Sequence, residues 1–534
     1  MMNFPLLSLI ILLPLLGAIA IGVTRNVKLA KNIALAVAGL ELFLTLIVVL
    51  LFNASNGANF QLVEHYVWIP NLNIGFLVGI DGISVLFLPM SALLTLMAII
   101  ASWNSVQHLH RLHYALLLAL EGVTIGVFSA LDTVLFFLFW ELTLPPIFFL
   151  IGLWGIGPKR RSAAMKYTLF MLFGGVPLLF AIIILAINHA VDMNGTIPQD
   201  LSFSLPVLLK TQLPDNLQAL VFILLLLGFA VKAPLIPFHT WLPTAAMEGP
   251  TQITALLIGL KLGAYGILRF TLPLAPSAAV EYSWVLGILG AITLIYGALI
   301  ALQQTNLRRL LAYASISHVG LVIIGIASLT MQGIQGALFQ LFNFTLVASS
   351  LMLVAGFIQH RLGSTEALHL GGLAKVMPRL TSFYFLFALA SIGVPGTNGF
   401  PAELLLIIGA LTAHPSLGIT ALAGAVLSAA YMLSFTRRAF FGPITQTAVN
   451  QAQDLRPREL ALLCVPVLLI LVFGFFPNSV LKTNQMAAEA WLSRLLDQPV
   501  MESNDITLYH YSRVVSITYC TRPSLTLRNI STES

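Results

Sequence analysis

Residues 231–243 read VKAPLIPFHTWLP, and they follow LVFILLLLGFA at 220–230. The leading run is hydrocarbon. Lys232, Pro234, Pro237, His239 and Pro243 then interrupt it. Proline lacks an N–H and breaks helices, and a charged side chain in lipid is costly. Interrupted backbone at membrane depth is tolerated only inside protein or beside a water-filled cavity. The stretch therefore reads as a discontinuous helix at a polar site, and it places the chain among all-α polytopic membrane proteins.

Composition agrees. Of 534 residues, 58% are hydrophobic and 9% charged, against ~25% charged in soluble domains. Mean hydropathy is +0.94. Cys464 and Cys520 are the two cysteines, too few for a disulfide framework or a Cys-based zinc or iron–sulfur site. The net charge of +6 is better explained by membrane topology than by nucleic acid. The N-terminal MMNFPLLSLIILLPLLGAIAIGV has no basic region before its apolar run, so it reads as a first transmembrane helix rather than a signal peptide.

With ~20 apolar residues per span, about fourteen segments emerge, centred near Pro14, Leu42, Ala92, Leu120, Leu144, Leu178, Gly228, Lys261, Ala291, Val319, Ser349, Ala390, Leu427 and Leu468. The loop around 190–216 and the tail after about 481 lie outside the membrane pattern. Basic residues concentrate in odd-numbered loops: Arg25, Lys28 and Lys31; Arg111; Lys159, Arg160 and Arg161; Arg308 and Arg309; Arg361, Lys375 and Arg379; Arg437, Arg438, Arg456 and Arg458. Lys210 is the exception. The positive-inside rule then puts odd loops in the cytoplasm and both termini on the opposite face.

Four ionisable residues fall within these segments: Glu141, Lys232, Lys261 and Glu403; His239 and His318 join them. Each has a plain alternative. Glu141 and Lys232 could form a structural ion pair, Lys261 could snorkel, and His318 could be a satisfied core histidine. Together, however, a row of mixed sign is what a proton relay needs, because each neighbour's charge tunes the next. Lysine can titrate when buried, whereas arginine stays charged. A second break, IGVPGTNGFPAE at 392–403, lies five segments beyond the first. Matched broken helices mark inverted-repeat transporters. The expected organisation is residues 1–110 (helices 1–3), 111–272 and 283–442 (two inverted five-helix repeats with discontinuous helices 7 and 12), 443–485 (helix 14) and a polar tail at 486–534.

The motifs VGIDGISVLFLPM (78–90), FWELTLPPIFFLIGLWG (139–155), VKAPLIPFHTWLP, GLKLGAYGILRF (259–270), QTNLRRLLAYASISHVG (304–320) and PGTNGFPAELL (395–405) carry a resemblance. The chain is similar to the antiporter-like subunits of respiratory complex I, the chain 4 (NuoM/NdhD) type above all, which resemble Mrp-type sodium/proton antiporter subunits. The resemblance implies proton translocation driven by quinone reduction elsewhere in the complex. It implies a coupled Glu141–Lys232 pair, a central Lys261, an exit-side Glu403, a helix 6 lysine at Lys166 and the histidine of an SxSH motif at His318. His239 lies just past the kink.

Departures accompany it. Where the family reads DAH after TWLP, this chain has Thr244 and Ala246, with Glu248 nearby. Asn306 replaces an aspartate. Phe344 stands where the family commonly has a relay histidine, so the route from Lys261 to Glu403 is expected to use water, His318 or Asn343. EGPTQITALLIGLKLGAYGILRFTLPLAP (248–276) resembles cyanobacterial NdhD paralogues specialised in carbon dioxide uptake. HLHRLH at 108–113 could suggest zinc, but it sits with Arg111 in a loop without a nearby carboxylate, and no metal is expected.

The resemblance further implies that this chain binds no cofactor, quinone and NAD(P)H or ferredoxin acting at other subunits. Its implied partners are other membrane-arm subunits, a carbon dioxide hydration subunit and the lipid bilayer, with no nucleic acid. The implied location is a multi-pass position in a cyanobacterial thylakoid membrane, passing electrons' energy from plastoquinone reduction, with lumenal termini. The alternative is an Mrp-type cation/proton antiporter subunit.

Overall fold

The computed structural model describes residues 5–444 and 446–496. Every segment expected from the sequence falls on helix. Leu6–Val23 (α1) and Val27–Leu51 (α2) come first, followed by a hairpin of Gln61–Ile69 (β1) and Ile74–Ile80 (β2). Phe87–Ser102 (α3) and His110–Ser129 (α4) follow, then Thr133–Leu142 (α5) and Leu144–Trp154 (α6), which form one span interrupted at Thr143. Arg160–Asp192 (α7) leads to the first break. Asp215–Lys232 (α8) stops at the lysine, and Trp241–Glu248 (α9) resumes after it. Thr251–Gly259 (α10) and Leu262–Gly266 (α11) make segment 8, then Ser283–Leu302 (α12), Leu307–Ala327 (α13) and Met331–Leu362 (α14). Segment 12 divides into Pro378–Ser391 (α15) and Gly399–Ala413 (α16). Pro415–Phe440 (α17), Pro457–Phe475 (α18) and Asn478–Leu496 (α19) complete the chain. Among the described residues, twelve helices are long and apolar enough to cross a membrane, or up to thirteen counting a bent pair. The segments below that length are α3 and the divided segment 12.

Both expected breaks are present, for the expected reason. Pro234 and Pro237 cannot donate an N–H, so α8 cannot continue. The Trp241 indole closes the gap by donating to the Val231 carbonyl at 2.9 Å. In segment 12, Gly393 adopts φ 67°, a left-handed turn that glycine tolerates without strain. Segment 8 carries a third break that the sequence reading missed. It parts at Leu260–Lys261 and passes into a π turn over Ile267–Thr271. No proline marks it; π-type irregularities often occur at functional sites.

The loops sort by face. Odd loops tie to one another: Lys31 Nζ donates to the Trp103 carbonyl, Arg111 to Thr24 O, the Lys159 N–H to Glu248 and Arg308 to Gly249 O. Even loops do the same. Leu131 N–H donates to Leu77 O of the hairpin, and Thr133 N–H to Phe203 O. The sequence reading did not foresee the hairpin, although QLVEHYVWI is rich in the β-branched and aromatic residues that favour strands.

α13 and α14 lie almost wholly inside the bundle, whereas α1, α2 and α18 expose much of their surface. Residues 486–496, grouped from sequence with the polar tail, continue α19. Its face of Val480, Asn484, Ala487, Ala488, Trp491 and Leu495 is buried. A buried ion pair anchors it: Asp81 binds Arg269, and the guanidinium lies 5.7 Å from the Trp491 ring. Residues 497–534, including Cys520, lie outside the described residues.

Candidate functional site

The first break presents Lys232 at the last turn of α8. Its Nζ donates to Thr143 Oγ1 at 2.8 Å and to Trp140 O at 3.3 Å, and stands 3.9 Å from the Trp140 ring centroid. The junction of α5 and α6 supplies these acceptors. Glu141 is the next residue, but its carboxylate does not close onto the lysine. Among the described residues the ion pairs within 4.0 Å are Arg269–Asp81, His318–Glu403 and Arg361–Glu459. The expected Glu141–Lys232 pair is therefore an electrostatic one without contact. Glu141 Oε1 is buried without a hydrogen-bond partner. It rests against Gly175 of α7, where an added Cβ would come within 2.3 Å.

Lys166 of α7 reaches the break from the other side. It donates to Thr240 O at 2.8 Å and Thr244 Oγ1 at 3.2 Å. His239 is buried and faces Tyr296 of α12 and Tyr313 of α13, at ring distances of 5.3 and 6.4 Å. It thus sits against the second half of the chain rather than beside Lys232.

The breaks in segments 7 and 8 cross. A Cβ on Gly263 would lie 2.1 Å from the Ala233 nitrogen, so only glycine lets the two backbones approach. Lys232 and Lys261 flank this crossing. A cavity of about 30 Å³ beside Lys232 is lined by Thr124, Thr143, Tyr167, Leu260 and Leu262. That is room for a water.

Lys261 points onward. Its Nζ donates to Ser315 Oγ of α13 and lies 5.3 Å from the Phe344 ring centroid. His318 is one turn beyond Ser315 on α13, on the same side. Its Nδ1 lies 3.6 Å from Glu403 Oε1 and 3.5 Å from Gln340, and its Nε2 lies 3.2 Å from the Tyr431 hydroxyl. Asn343 donates to Gln340 at 3.1 Å, leaving its own Oδ1 buried without a partner. A second water-sized cavity, about 20 Å³, is lined by Ser315, His318, Gln340, Asn343 and Phe344. Glu403 is held from behind by the break: a Cβ on Gly393 would stand 2.6 Å from Oε2.

The structure thus gathers Lys261, His318 and Glu403 through Ser315, and sets Glu141 and Lys232 across the helix crossing. The sequence reading missed Thr143, Gln340 and Tyr431, whose hydroxyl or amide groups carry no signal in an apolar run, and it met Ser315 only as the first serine of the SxSH motif, without a role. It also missed Glu41, Glu121 and Arg269, which the same scan for charges within spans would have found, and Asp81, which lies just before α3. Two of the three histidines of HLHRLH meet Trp154: His108 stacks on it, and His113 meets it edge-on.

Known proteins share this architecture. The family model described as NADH:quinone oxidoreductase/Mrp antiporter, TM, matches residues 130–428. NADH-quinone oxidoreductase subunit M of Rickettsia prowazekii is 36% identical over 497 residues, 92% of this chain and 99% of that protein. NAD(P)H-quinone oxidoreductase chain 4 1 of Synechococcus sp. (strain JA-3-3Ab) is 36% identical over 505 residues, 92% of this chain and 94% of that one. A chain in the structure of respiratory complex I from Thermus thermophilus superposes with TM-score 0.83 at 29% identity, covering 92% of this chain and 99% of that one. One in the Mrp complex from Dietzia shares the fold, with TM-score 0.80 at 23% identity over 93% of this chain and 100% of that one.

Proposed function

The chain belongs to the NADH:quinone oxidoreductase/Mrp antiporter family as an antiporter-like membrane subunit of the NuoM/NdhD type, and from that premise we propose that it moves protons along its buried charged row. The observation that carries this is that the Lys261–Ser315 hydrogen bond and the His318–Glu403 pair lie one helical turn apart on α13, with Ser315 and His318 lining the same water-sized cavity. Each member can accept and give up a proton or relay one through a hydroxyl.

In this reading, protonated Lys232 is held by Thr143, Trp140 and the charge of Glu141. Weakening that hold sends the proton past the Gly263–Ala233 crossing to Lys261. Lys261 passes it by Ser315 to His318, and His318 to Glu403. Phe344 cannot relay, but the path runs beside its ring rather than through it. Lys166 and His239 flank the uptake side. Segments 4–8 and 9–13 act as two inverted units, one around each broken helix.

The chain is a subunit of an enzyme complex and carries none of the redox chemistry itself; the donor and quinone sites lie on other subunits. Quinone reduction there supplies the energy. Glu141→Gln in the assembled complex should lower protons moved per electron while quinone reduction continues; normal pumping would refute the pair's role. Sodium-dependent proton flux in vesicles without an electron donor would instead identify an Mrp-type antiporter subunit.

The finer reading is a carbon dioxide uptake variant in a cyanobacterial thylakoid membrane, using plastoquinone and with lumenal termini. It rests on the likeness of residues 248–276. Co-purification of a carbon dioxide hydration subunit tests it, and a complex without one refutes it.

A further inference from the structure

Helices α2 and α4 both begin on the odd-loop face, where Lys31 and Arg111 are tied. Each carries one glutamate inside an apolar run: Glu41 in AGLELFL and Glu121 in LALEGVT. The two lie at one level. Val37 and Leu118 meet at Gly17 of α1, where an added Cβ would stand 2.9 and 3.0 Å from them. One helical turn further along both helices come Glu41 and Glu121. Their exposures are 0% and 1%. All four carboxyl oxygens are buried without a hydrogen-bond partner, and Glu41 is near enough to Glu121 to act on it electrostatically. The nearby Thr45 hydroxyl is already given to the Glu41 and Leu42 carbonyls.

The surroundings offer no counter-charge at this level. α1 and α3, packed on both helices, contain no Asp, Glu, Lys, Arg or His, and neither do α6 and β2, which touch α4. Lys28, Lys31, His110, Arg111, His113 and Tyr114 sit toward the odd-loop ends of α2 and α4, with Arg458 of α18 acting on Lys31 and Tyr114. Glu141 of α5 rests on Gly175 instead.

A carboxylate cannot stay ionised and unpaired in such a place; it takes a proton. A lone glutamic acid would then remain neutral throughout. Two at one level behave differently. Once one proton leaves, the two side chains, which do not touch in this structure, turn toward each other and share the other proton in a short O–H···O⁻ bond, which stabilises the single charge, and the pair titrates in two steps. We propose that Glu41 and Glu121 form a second proton-binding site within the membrane, a carboxyl pair that holds two protons and releases one. It lies beside the charged row: Thr124, one turn on from Glu121, lines the Lys232 cavity.

The pair stands or falls apart from the pumping path, because the test needs no turnover. Infrared spectra of the assembled complex are recorded against pH for wild type, Glu41→Gln, Glu121→Gln and the double variant. Wild type minus double should show a protonated-carboxyl band that loses about half its intensity as pH rises. In each single variant the remaining carboxyl band should be present and should not titrate. No band in the difference spectrum, as an ionised pair holding a metal cation would give, overturns the proposal; so do single variants that titrate like wild type. Should the Gln variants fail to assemble, Glu121→Asp keeps both carboxyls. It should retain a band that titrates at a shifted pH, and a band that does not titrate refutes the pair.

Discussion

Gly175→Ala separates the position of Glu141 from its chemistry. The new methyl would lie 2.3 Å from Glu141 Oε1, and the carboxylate must retreat by about 1 Å to reach ordinary van der Waals contact. It can do so, because it is the free end of a flexible side chain. The fold should therefore survive, and α7 gains ~1 kcal/mol of helix propensity from losing a glycine. The hold on Lys232 should not survive, since a 1 Å misplacement of a working group can cost up to about a hundredfold in rate. This chain's share of the proton uptake by inverted vesicles should fall by roughly ten- to a hundredfold per electron, with quinone reduction and assembly intact. Gly152→Ala is the control: its Cβ would meet only Ala164 Cβ, at 3.7 Å. Pumping at the wild-type ratio in an assembled Gly175→Ala complex would show that the Glu141 carboxylate does not need its place, and would refute the reasoning.

His318→Gln keeps hydrogen bonds toward Gln340 and Tyr431 but cannot take a proton; proton transfer should slow ~100-fold or more, read as lost pumping with normal quinone reduction. Asp81→Asn leaves the Arg269 charge buried and should cost ~3–5 kcal/mol, seen as a lower melting temperature and poorer incorporation of this subunit. Asp81→Leu combined with Arg269→Met should recover much of that loss; a single variant as stable as wild type would contradict the anchoring of α19 through this pair.

Much of the fold was legible because membrane spans are written in long apolar runs and breaks in proline and glycine. VKAPLIPFHTWLP and IGVPGTNGFPAE announced their breaks this way. The break at Lys261 did not, because Leu260 and Lys261 are good helix formers. What parts the helix there is the close crossing of Gly263 over Ala233, a tertiary contact. The site was legible where charge stands alone in hydrocarbon. Its connections were not: His318 could equally have been a core histidine until α13 set it beside Glu403. Phe344 read as a possible gap in the route, and the structure places Ser315 and His318 around it. Glu41 and Glu121 were as visible in sequence as Glu141, but they lie in segments without a break or a family motif to draw attention to them.

The central claim is that a proton crosses from the first half of the chain to the second through Lys261. Lys261→Met keeps the length of the side chain and removes its proton. The measurement is the number of protons moved per electron by the assembled complex, with sodium absent. The account predicts that this chain's share is lost while quinone reduction continues; an unchanged ratio would contradict it.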